Sequence, residues 1–153
     1  MVVLDMDIQI EILEHGKGLD IPCYATDESA GLDLRAAVKD YIILKKGERA
    51  LIPNGFLMAL PKGYNAEIRP RSGLAFKYGI TVLNAPGTVD SDYRGELKTL
   101  LINLGEEDFI VERGMRIAQM VIQKFETVEL KEVENLDLNT SRSSGGYGST
   151  GIK

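Results

Sequence analysis

Hydrophobic and polar residues alternate in short stretches along this chain, a pattern typical of β-strands with one buried face. The alternation is clearest in residues 7–12 and 32–36. Short apolar segments separated by turn residues predict further strands at 41–44, 49–52, 56–60, 64–69, 97–104, 109–111, 116–123 and 128–133. Only residues 72–78 are predicted to form a helix, and a short one. This series of short strands predicts an all-β sandwich or barrel.

Two of the predicted strands, 97–104 and 116–123, carry apolar residues on both faces. A strand of this kind is covered on both sides, here either by another sheet or by another subunit. The pattern therefore indicates an oligomer.

The composition changes at Asn135, after which glycine and serine become frequent. We predict a β-domain at 1–134 and a flexible C-terminal arm at 135–153. Such an arm is either a disordered terminus or a segment that becomes ordered over a ligand. Arg142 and Tyr147 supply the charge and the aromatic ring that closure over a nucleotide requires.

The 153 residues carry a net charge of −5 and are 44% hydrophobic, values typical of one globular domain. No apolar stretch approaches the roughly 20 residues that span a bilayer, so no membrane partner is expected. The acidic balance argues against a nucleic-acid partner. The N-terminus resembles no export signal, and the single cysteine cannot form an intramolecular disulfide. We therefore expect a soluble cytoplasmic protein.

Histidine and cysteine are too few for several mechanisms. His15 is the only histidine and lies in a glycine-flanked turn, where we expect it to be exposed. Zinc sites need several Cys or His ligands, and a serine triad needs a histidine between nucleophile and acid. A metal in this protein is therefore expected to be Mg²⁺, bound through oxygen.

The candidate chemical centre is the turn at residues 87–95, which carries Asp90, Asp92 and Tyr93. Strand interiors disfavour Asp and Gly, so this segment is either an ordinary turn or a reactive loop held on a rigid scaffold. Several arginines in glycine-rich, serine-rich or apolar contexts are either ordinary surface residues or parts of an anion site, namely Arg69, Arg71, Arg116 and Arg142.

Five segments, in order, resemble the five motifs of the trimeric dUTPase family. They are AGLDLRAA at 30–37, PRSGLA at 70–75, NAPGTVDSDYRG at 84–95, RIAQ at 116–119 and RSSGGYGSTG at 142–151. The resemblance implies a β-clip or distorted jelly-roll-like barrel, with the C-terminal arm exchanged within a homotrimer that shares its active sites. It also implies Mg²⁺-assisted hydrolysis of dUTP to dUMP and pyrophosphate, with Asp90 activating the attacking water.

The resemblance assigns further residues to the site. Those expected to hold the phosphates are Arg71, Ser72, Gly73 and Gln119, with Ser72 as a possible cap of the short helix. Those expected to line the uracil pocket are Asn84, Thr88, Val89 and Lys98, and Tyr93 would pack under the deoxyribose. Those expected to close over the nucleotide from the arm are Arg142, Tyr147, Ser149 and Thr150.

Asp33 corresponds to the family position that contacts magnesium through water. Taken alone, its carboxylate is equally suited to pairing with Arg35 or another arginine. The chain departs from the family pattern at Tyr147, where phenylalanine is common, and at Met115, where an acidic residue is common. Neither change removes a proposed catalytic group.

Two other functions remain as alternatives. One is dCTP deaminase, which shares the fold and is similar in the arginine-serine and aspartate-turn motifs, but the strand at 97–103 lacks a carboxylate for deamination. The other is a nucleotide-gated partner-binding protein, for which an inserted segment would be the expected sign. The short turns between predicted strands leave no room for such an insertion.

Overall fold

The computed structural model describes residues 6–147. Its strands are β1 (Gln9–Ile12), β2 (Leu32–Arg35), β3 (Tyr41–Leu44), β4 (Arg49–Pro53), β5 (Phe56–Ala59), β6 (Tyr64–Arg69), β7 (Ile80–Val82), β8 (Gly87–Val89), β9 (Lys98–Asn103), β10 (Phe109–Glu112) and β11 (Arg116–Lys124). Helix α1 (Ser72–Tyr78) and a single 3-10 turn (Glu14–Gly16) complete the regular structure of this part of the chain.

All strand pairings are antiparallel and form four small sheets. The largest has the order β2-β11-β6-β8, the next has the order β4-β9-β7, and β1-β5 and β3-β10 form pairs. Strands that are distant in sequence are neighbours throughout, as in jelly-roll-like folds. The predicted all-β, jelly-roll-like fold with one short helix is confirmed.

The core contains aliphatic side chains from nearly every strand. Leu34, Ile52, Leu101, Val111 and Ile117 are at most 1% exposed. Burying one such side chain stabilises the fold by roughly 1.5–3 kcal/mol. The rigid core therefore holds the strand ends, from which the polar loops project.

A buried polar pair crosses the second sheet. The Thr99 hydroxyl donates to Asn54 Oδ1 at 2.9 Å, and Asn54 Nδ2 donates to the Arg35 carbonyl at 2.9 Å. Because buried polar groups are costly when unpaired, this network specifies how β4, β9 and the end of β2 meet.

Alternation located most strands to within a residue or two, but the predicted strand at 128–133 is wrong. Those residues form no strand, and Val128 and Leu130 are exposed. A strand needs a neighbouring strand for its backbone groups, and residues 128–133 pair with none within the described chain. Conversely, β7 and β8 were not predicted, because three residues are too few to show a period.

The helices within residues 6–147 include none with the length and apolar character needed to cross a membrane.

Candidate active site

The four-stranded sheet lines up polar residues from three strands. Gln119 of β11 lies directly opposite Asp33 of β2 on one side and Arg69 of β6 on the other. Residues opposite each other in antiparallel strands project from the same face. The other face is buried, with Leu34, Ala118 and Ile68 in the core. The sheet thus presents a carboxylate, an amide and a guanidinium side by side.

A pocket of about 410 Å³ opens over this polar face, and we call it the sheet pocket. It brings together five predicted residues, which are Asp33, Arg71, Ser72, Gly73 and Gln119. Its wall also contains Arg69 and Ser29, which the motif comparison did not select.

Asp33 holds two arginines at this pocket. Its Oδ1 lies 3.2 Å from Arg71 Nε and its Oδ2 lies 3.1 Å from Arg116 Nη1. The Asp33 carboxylate is only 14% exposed, so water and salt screen these contacts less than they screen ordinary surface ion pairs. Of the alternatives for Asp33, pairing with an arginine is observed, and the partners are Arg71 and Arg116 instead of Arg35. Arg35 pairs with Asp20.

Gln119 is held at the nitrogen end of its amide. Its Nε2 donates to the Pro70 carbonyl at 2.9 Å. A Cβ added at Gly31 would collide with its Oε1, so the glycine leaves the space that this amide occupies. The amide is therefore satisfied by a backbone carbonyl while one edge stays at the pocket. A bulge between Arg116 and Ala118 buries Ile117 in the core, so Ile117 lies away from the pocket face of Gln119.

The short helix α1 begins at Ser72, and Arg71 occupies the capping position without a side-chain cap hydrogen bond. The suggestion that Ser72 caps this helix is therefore wrong by one residue. Ser72 is the first residue of the helix, is exposed, and lines the sheet pocket. Arg71 is held by Asp33 and by a 3.3 Å hydrogen bond to the Arg116 carbonyl.

The turn after β8 forms a second pocket of about 470 Å³, which we call the turn pocket. It brings together Thr88, Val89, Asp90, Tyr93 and Lys98, all predicted from the sequence. Leu51, Glu96 and Leu97 complete its wall. Asp90 is exposed directly beyond the end of β8. The carboxylate thus stands on a loop anchored by a paired strand, as a reactive group requires.

Tyr93 is held by its own turn. Its hydroxyl donates to the Glu96 carbonyl at 3.0 Å, and a side chain at Gly95 would collide with the tyrosine ring. The Arg94 guanidinium donates to the carbonyls of Ser91 and Tyr93 at 2.7 and 2.8 Å. These contacts close the turn and leave the Tyr93 ring at the pocket.

Asn84 lies outside the turn pocket. Its side chain packs beside Gly87, where an added Cβ would come within 3.2 Å of Asn84 Nδ2. It borders the start of β8 and does not line the cavity of the single chain.

The two pockets share a sheet but are separate cavities in one chain. Thr88 of β8 lies opposite Glu67 of β6, which lies opposite Val121 of β11. Thr88 lines the turn pocket and Val121 the sheet pocket, while Glu67 between them pairs with Arg69. The single chain therefore divides the predicted residues into two groups.

The described part of the C-terminal arm, residues 135–147, lines neither pocket of this chain. Arg142 Nε donates to the Gly145 carbonyl at 2.8 Å, and Tyr147 is fully exposed. Neither residue lines the turn pocket or the sheet pocket. Ser149 and Thr150 lie outside the described residues.

Sequence reasoning missed Glu96 and Arg116 as site residues. Glu96 was missed because it lies between the motif, which ends at Gly95, and the predicted strand, which begins at residue 97. Arg116 was noted only as a candidate arginine. Its position one strand away from Asp33 depends on the pairing of β2 with β11, which the sequence does not reveal.

The described residues suit a magnesium ion that is bound through water, and they do not form a cage of protein ligands. No three Asp, Glu, His or Cys side chains within 6–147 cluster as a metal cage. Mg²⁺ commonly keeps several waters and takes phosphate oxygens as ligands, so a single carboxylate suffices as an outer contact. Asp33, at the sheet pocket and with lone pairs left beside its two arginines, fits that role.

Comparison with known proteins identifies the family. The family model described as dUTPase matches residues 17–151, which is most of the chain. A deoxyuridine 5'-triphosphate nucleotidohydrolase of Bartonella bacilliformis is 56% identical over 97% of this chain and 92% of the relative. The same enzyme of Rickettsia canadensis is 60% identical over 94% and 96%.

Solved structures agree with this assignment. A Staphylococcus bacteriophage 80alpha dUTPase mutant, solved with dUpNHpp, superposes with a TM-score of 0.86 at 25% identity. The match covers 95% of this chain and 99% of the phage chain. With its motifs, its fold and its relatives in agreement, the chain belongs to the dUTPase family.

Proposed function

We propose that this chain hydrolyses dUTP to dUMP and pyrophosphate. The observation that carries the proposal is the turn pocket, where Asp90 stands beside Thr88, Tyr93 and Lys98 on a chain of the dUTPase family. The names of the curated relatives and the dUpNHpp in the phage structure support the same substrate.

In the proposed reaction, Asp90 is the general base. It orients a water molecule towards the α-phosphorus and accepts its proton, while the bond from the α-phosphorus to the bridging oxygen breaks and pyrophosphate leaves. The exposed position of Asp90 at the end of a paired strand supports this role. The only histidine, His15, is outside the turn pocket, so a carboxylate base suits this site.

The turn pocket would select the nucleoside. Thr88, Val89 and Lys98 line the space proposed for uracil, with Asn84 beside the start of the strand. The fixed Tyr93 ring would pack under the deoxyribose, where a 2′-hydroxyl would collide or be buried without a partner. Burying an unpaired hydroxyl costs roughly 1–3 kcal/mol, enough to disfavour UTP.

The sheet pocket would hold the phosphates. Arg71 would supply positive charge to the phosphates, and Ser72 and Gly73 would supply hydrogen-bond donors. Gln119 would present one edge of its amide to the α-phosphate. Mg²⁺, when bound, neutralises triphosphate charge, and Asp33 would contact it through water. Asp33 also pairs with Arg71, which lines the same pocket, and with Arg116.

A homotrimer with shared active sites would unite the two groups of residues. In one chain the turn pocket and the sheet pocket are separate, and the described part of the arm, residues 135–147, lines neither. An exchanged arm would bring Arg142, Tyr147, Ser149 and Thr150 over the nucleotide of another subunit. The exposed apolar side chains of Val128 and Leu130 just before the arm, and of Leu136 near its start, support burial of this part of the chain in an assembly. The division into a β-domain at 1–134 and an arm at 135–153 belongs to this proposal.

The proposed role in the cell is removal of dUTP, which would otherwise allow uracil into DNA, and supply of dUMP for dTMP synthesis. We propose that this takes place in the cytoplasm.

A dCTP deaminase activity is the nearest alternative. The structure adds one observation in its favour, because Glu96 places a second carboxylate at the turn pocket. Glu96 is, however, already engaged by the Gly55 amide and by His15, which makes it a poor free base. Ammonia release from dCTP would support the deaminase.

Hydrolysis in water labelled with heavy oxygen tests the reaction path. Attack at the α-phosphorus places the label in dUMP. Recovery of the label in pyrophosphate would mean attack at the β-phosphorus and would contradict the arrangement proposed for Asp90.

A further inference from the structure

The 3-10 turn Glu14–Gly16 is fixed tightly against the body of the protein. The Leu13 amide donates to the Gly55 carbonyl at 2.9 Å, and a side chain at Gly16 would collide with that same carbonyl. The Arg113 guanidinium donates to the carbonyls of His15 and Lys17 at 2.8 and 2.9 Å. The backbone carrying His15 is therefore a rigid anchor and not a loose surface loop.

The anchored His15 reaches the turn pocket through Glu96. His15 Nε2 lies 2.5 Å from Glu96 Oε1, and the Gly55 amide donates to the same oxygen at 3.1 Å. The Glu96 carboxylate is 17% exposed and lines the turn pocket. Two donors from separate parts of the chain thus fix one pocket carboxylate.

Glu96 in turn contacts two residues proposed to bind the nucleoside. Its carbonyl accepts the 3.0 Å hydrogen bond from the Tyr93 hydroxyl. Its Oε2 lies 3.9 Å from Lys98 Nζ. The next residue, Leu97, is held by backbone hydrogen bonds to Phe56 and Asn54. Glu96 therefore joins Tyr93 and Lys98 to the fixed His15 turn.

We propose that the His15–Glu96 pair positions the nucleoside-binding wall of the turn pocket and so determines the selectivity for the deoxyribose. Glu96 and His15 are positioning residues that act through Tyr93 and Lys98. The inference rests on the proposed function, since it concerns the same pocket. A 2′-hydroxyl is rejected only if the Tyr93 ring cannot move away, and Glu96 restrains that movement.

A neighbouring ion pair offers a control. Lys17 Nζ lies 2.6 Å from Glu14 Oε2 at the same turn, but Glu14 is 87% exposed and does not line the turn pocket. Exposed pairs contribute little. Glu14→Gln therefore changes the same turn and the same type of interaction without reaching the pocket.

The kinetic test compares dUTP with UTP. In Glu96→Ala we expect the KM for dUTP to rise about tenfold, while kcat stays within about threefold of the wild-type value. We also expect the preference for dUTP over UTP to fall about tenfold. These changes correspond to the loss of one or two hydrogen bonds. His15→Ala should show a smaller change in the same direction. His15→Gln, which retains a donor, should recover part of it, and Glu14→Gln should match the wild type.

The single histidine allows a second readout. NMR of the ¹⁵N-labelled imidazole of His15 in the full chain reports on one residue only. We expect its signals to shift when dUpNHpp binds the wild type. In Glu96→Gln, which weakens the charged contact with little change in shape, that response should be much smaller.

The outcomes separate the two proposals. A wild type that does not hydrolyse dUTP contradicts the proposed function, whereas the His15 signal still reports whether pocket and turn are coupled. Variants with lower melting temperature but unchanged KM and unchanged dUTP preference would overturn the positioning role. A stationary His15 signal on saturation with dUpNHpp would overturn it as well. If Glu96→Ala does not fold, Glu96→Gln and the exposed His15 variants decide the question.

Discussion

Replacing Asp90 by asparagine should remove the base and leave the pocket. The two side chains have nearly the same shape, but an amide cannot accept the proton of the attacking water. General bases contribute roughly 10²- to 10⁴-fold, which is about 3 to 5.5 kcal/mol of barrier. We therefore expect the turnover of Asp90→Asn on dUTP to fall by roughly 10²- to 10⁴-fold.

The structure makes this loss separable from unfolding. Asp90 is exposed beyond the end of β8 and belongs to no buried cluster. A surface substitution of this kind changes stability by about 0.5 kcal/mol or less. The loss of turnover should therefore occur in a fully folded protein that still binds dUpNHpp, as measured by calorimetry and pyrophosphate release.

Asp92→Asn is the matched control, because Asp92 is exposed in the same turn but does not line the pocket. It should retain turnover within about threefold, as most surface substitutions do. If Asp90→Asn stayed within the same range, Asp90 would not be the base. If both variants lost activity equally, the effect would belong to the charge of the turn.

Other predictions test the arm, the sheet pocket and the core. Deleting residues 142–153 should abolish dUTP turnover while leaving a folded trimer, and size-exclusion chromatography with light scattering would reveal a monomer if the arm were mainly structural. Gly31→Ala should force the Gln119 amide to move, lowering kcat/KM about tenfold, and an unchanged value would show that the amide adapts freely. Thr99→Val should leave Asn54 Oδ1 unpaired and lower the free energy of unfolding, measured by urea titration, by about 1–3 kcal/mol. Turnover should be unchanged. If stability were also unchanged, the Asn54 amide oxygen would have found another donor.

Strand positions were predictable because alternation reflects a local property, the two faces of a strand. The pattern located β3 and β6 at their observed bounds. It failed at 128–133, where alternation is present but no neighbouring strand of this chain pairs with the segment. Alternation reports that a segment has two different faces, and the partner that makes it a strand is a tertiary property.

The site was predictable in its parts but not in its arrangement. The family resemblance named Asp90, Tyr93 and Lys98, and these three residues line one pocket. The connection of Glu96 to His15 joins residues 81 positions apart, and no periodicity or motif contains it. It arises only when the turn at Gly16 packs against Gly55, a contact between two glycines that carries no hydrophobic pattern.

The decisive test of the proposed dUTP hydrolysis measures pyrophosphate release in the presence of Mg²⁺. Separate reactions contain dUTP, UTP, dTTP or dCTP, and ammonia is followed in parallel. We expect release of pyrophosphate from dUTP, with little or none from the other three nucleotides, and no ammonia. Ammonia from dCTP would instead indicate a deaminase. Equal release of pyrophosphate from all four nucleotides would contradict the selectivity proposed for the turn pocket. No release from any of them would contradict the hydrolase and favour a nucleotide-gated binding protein.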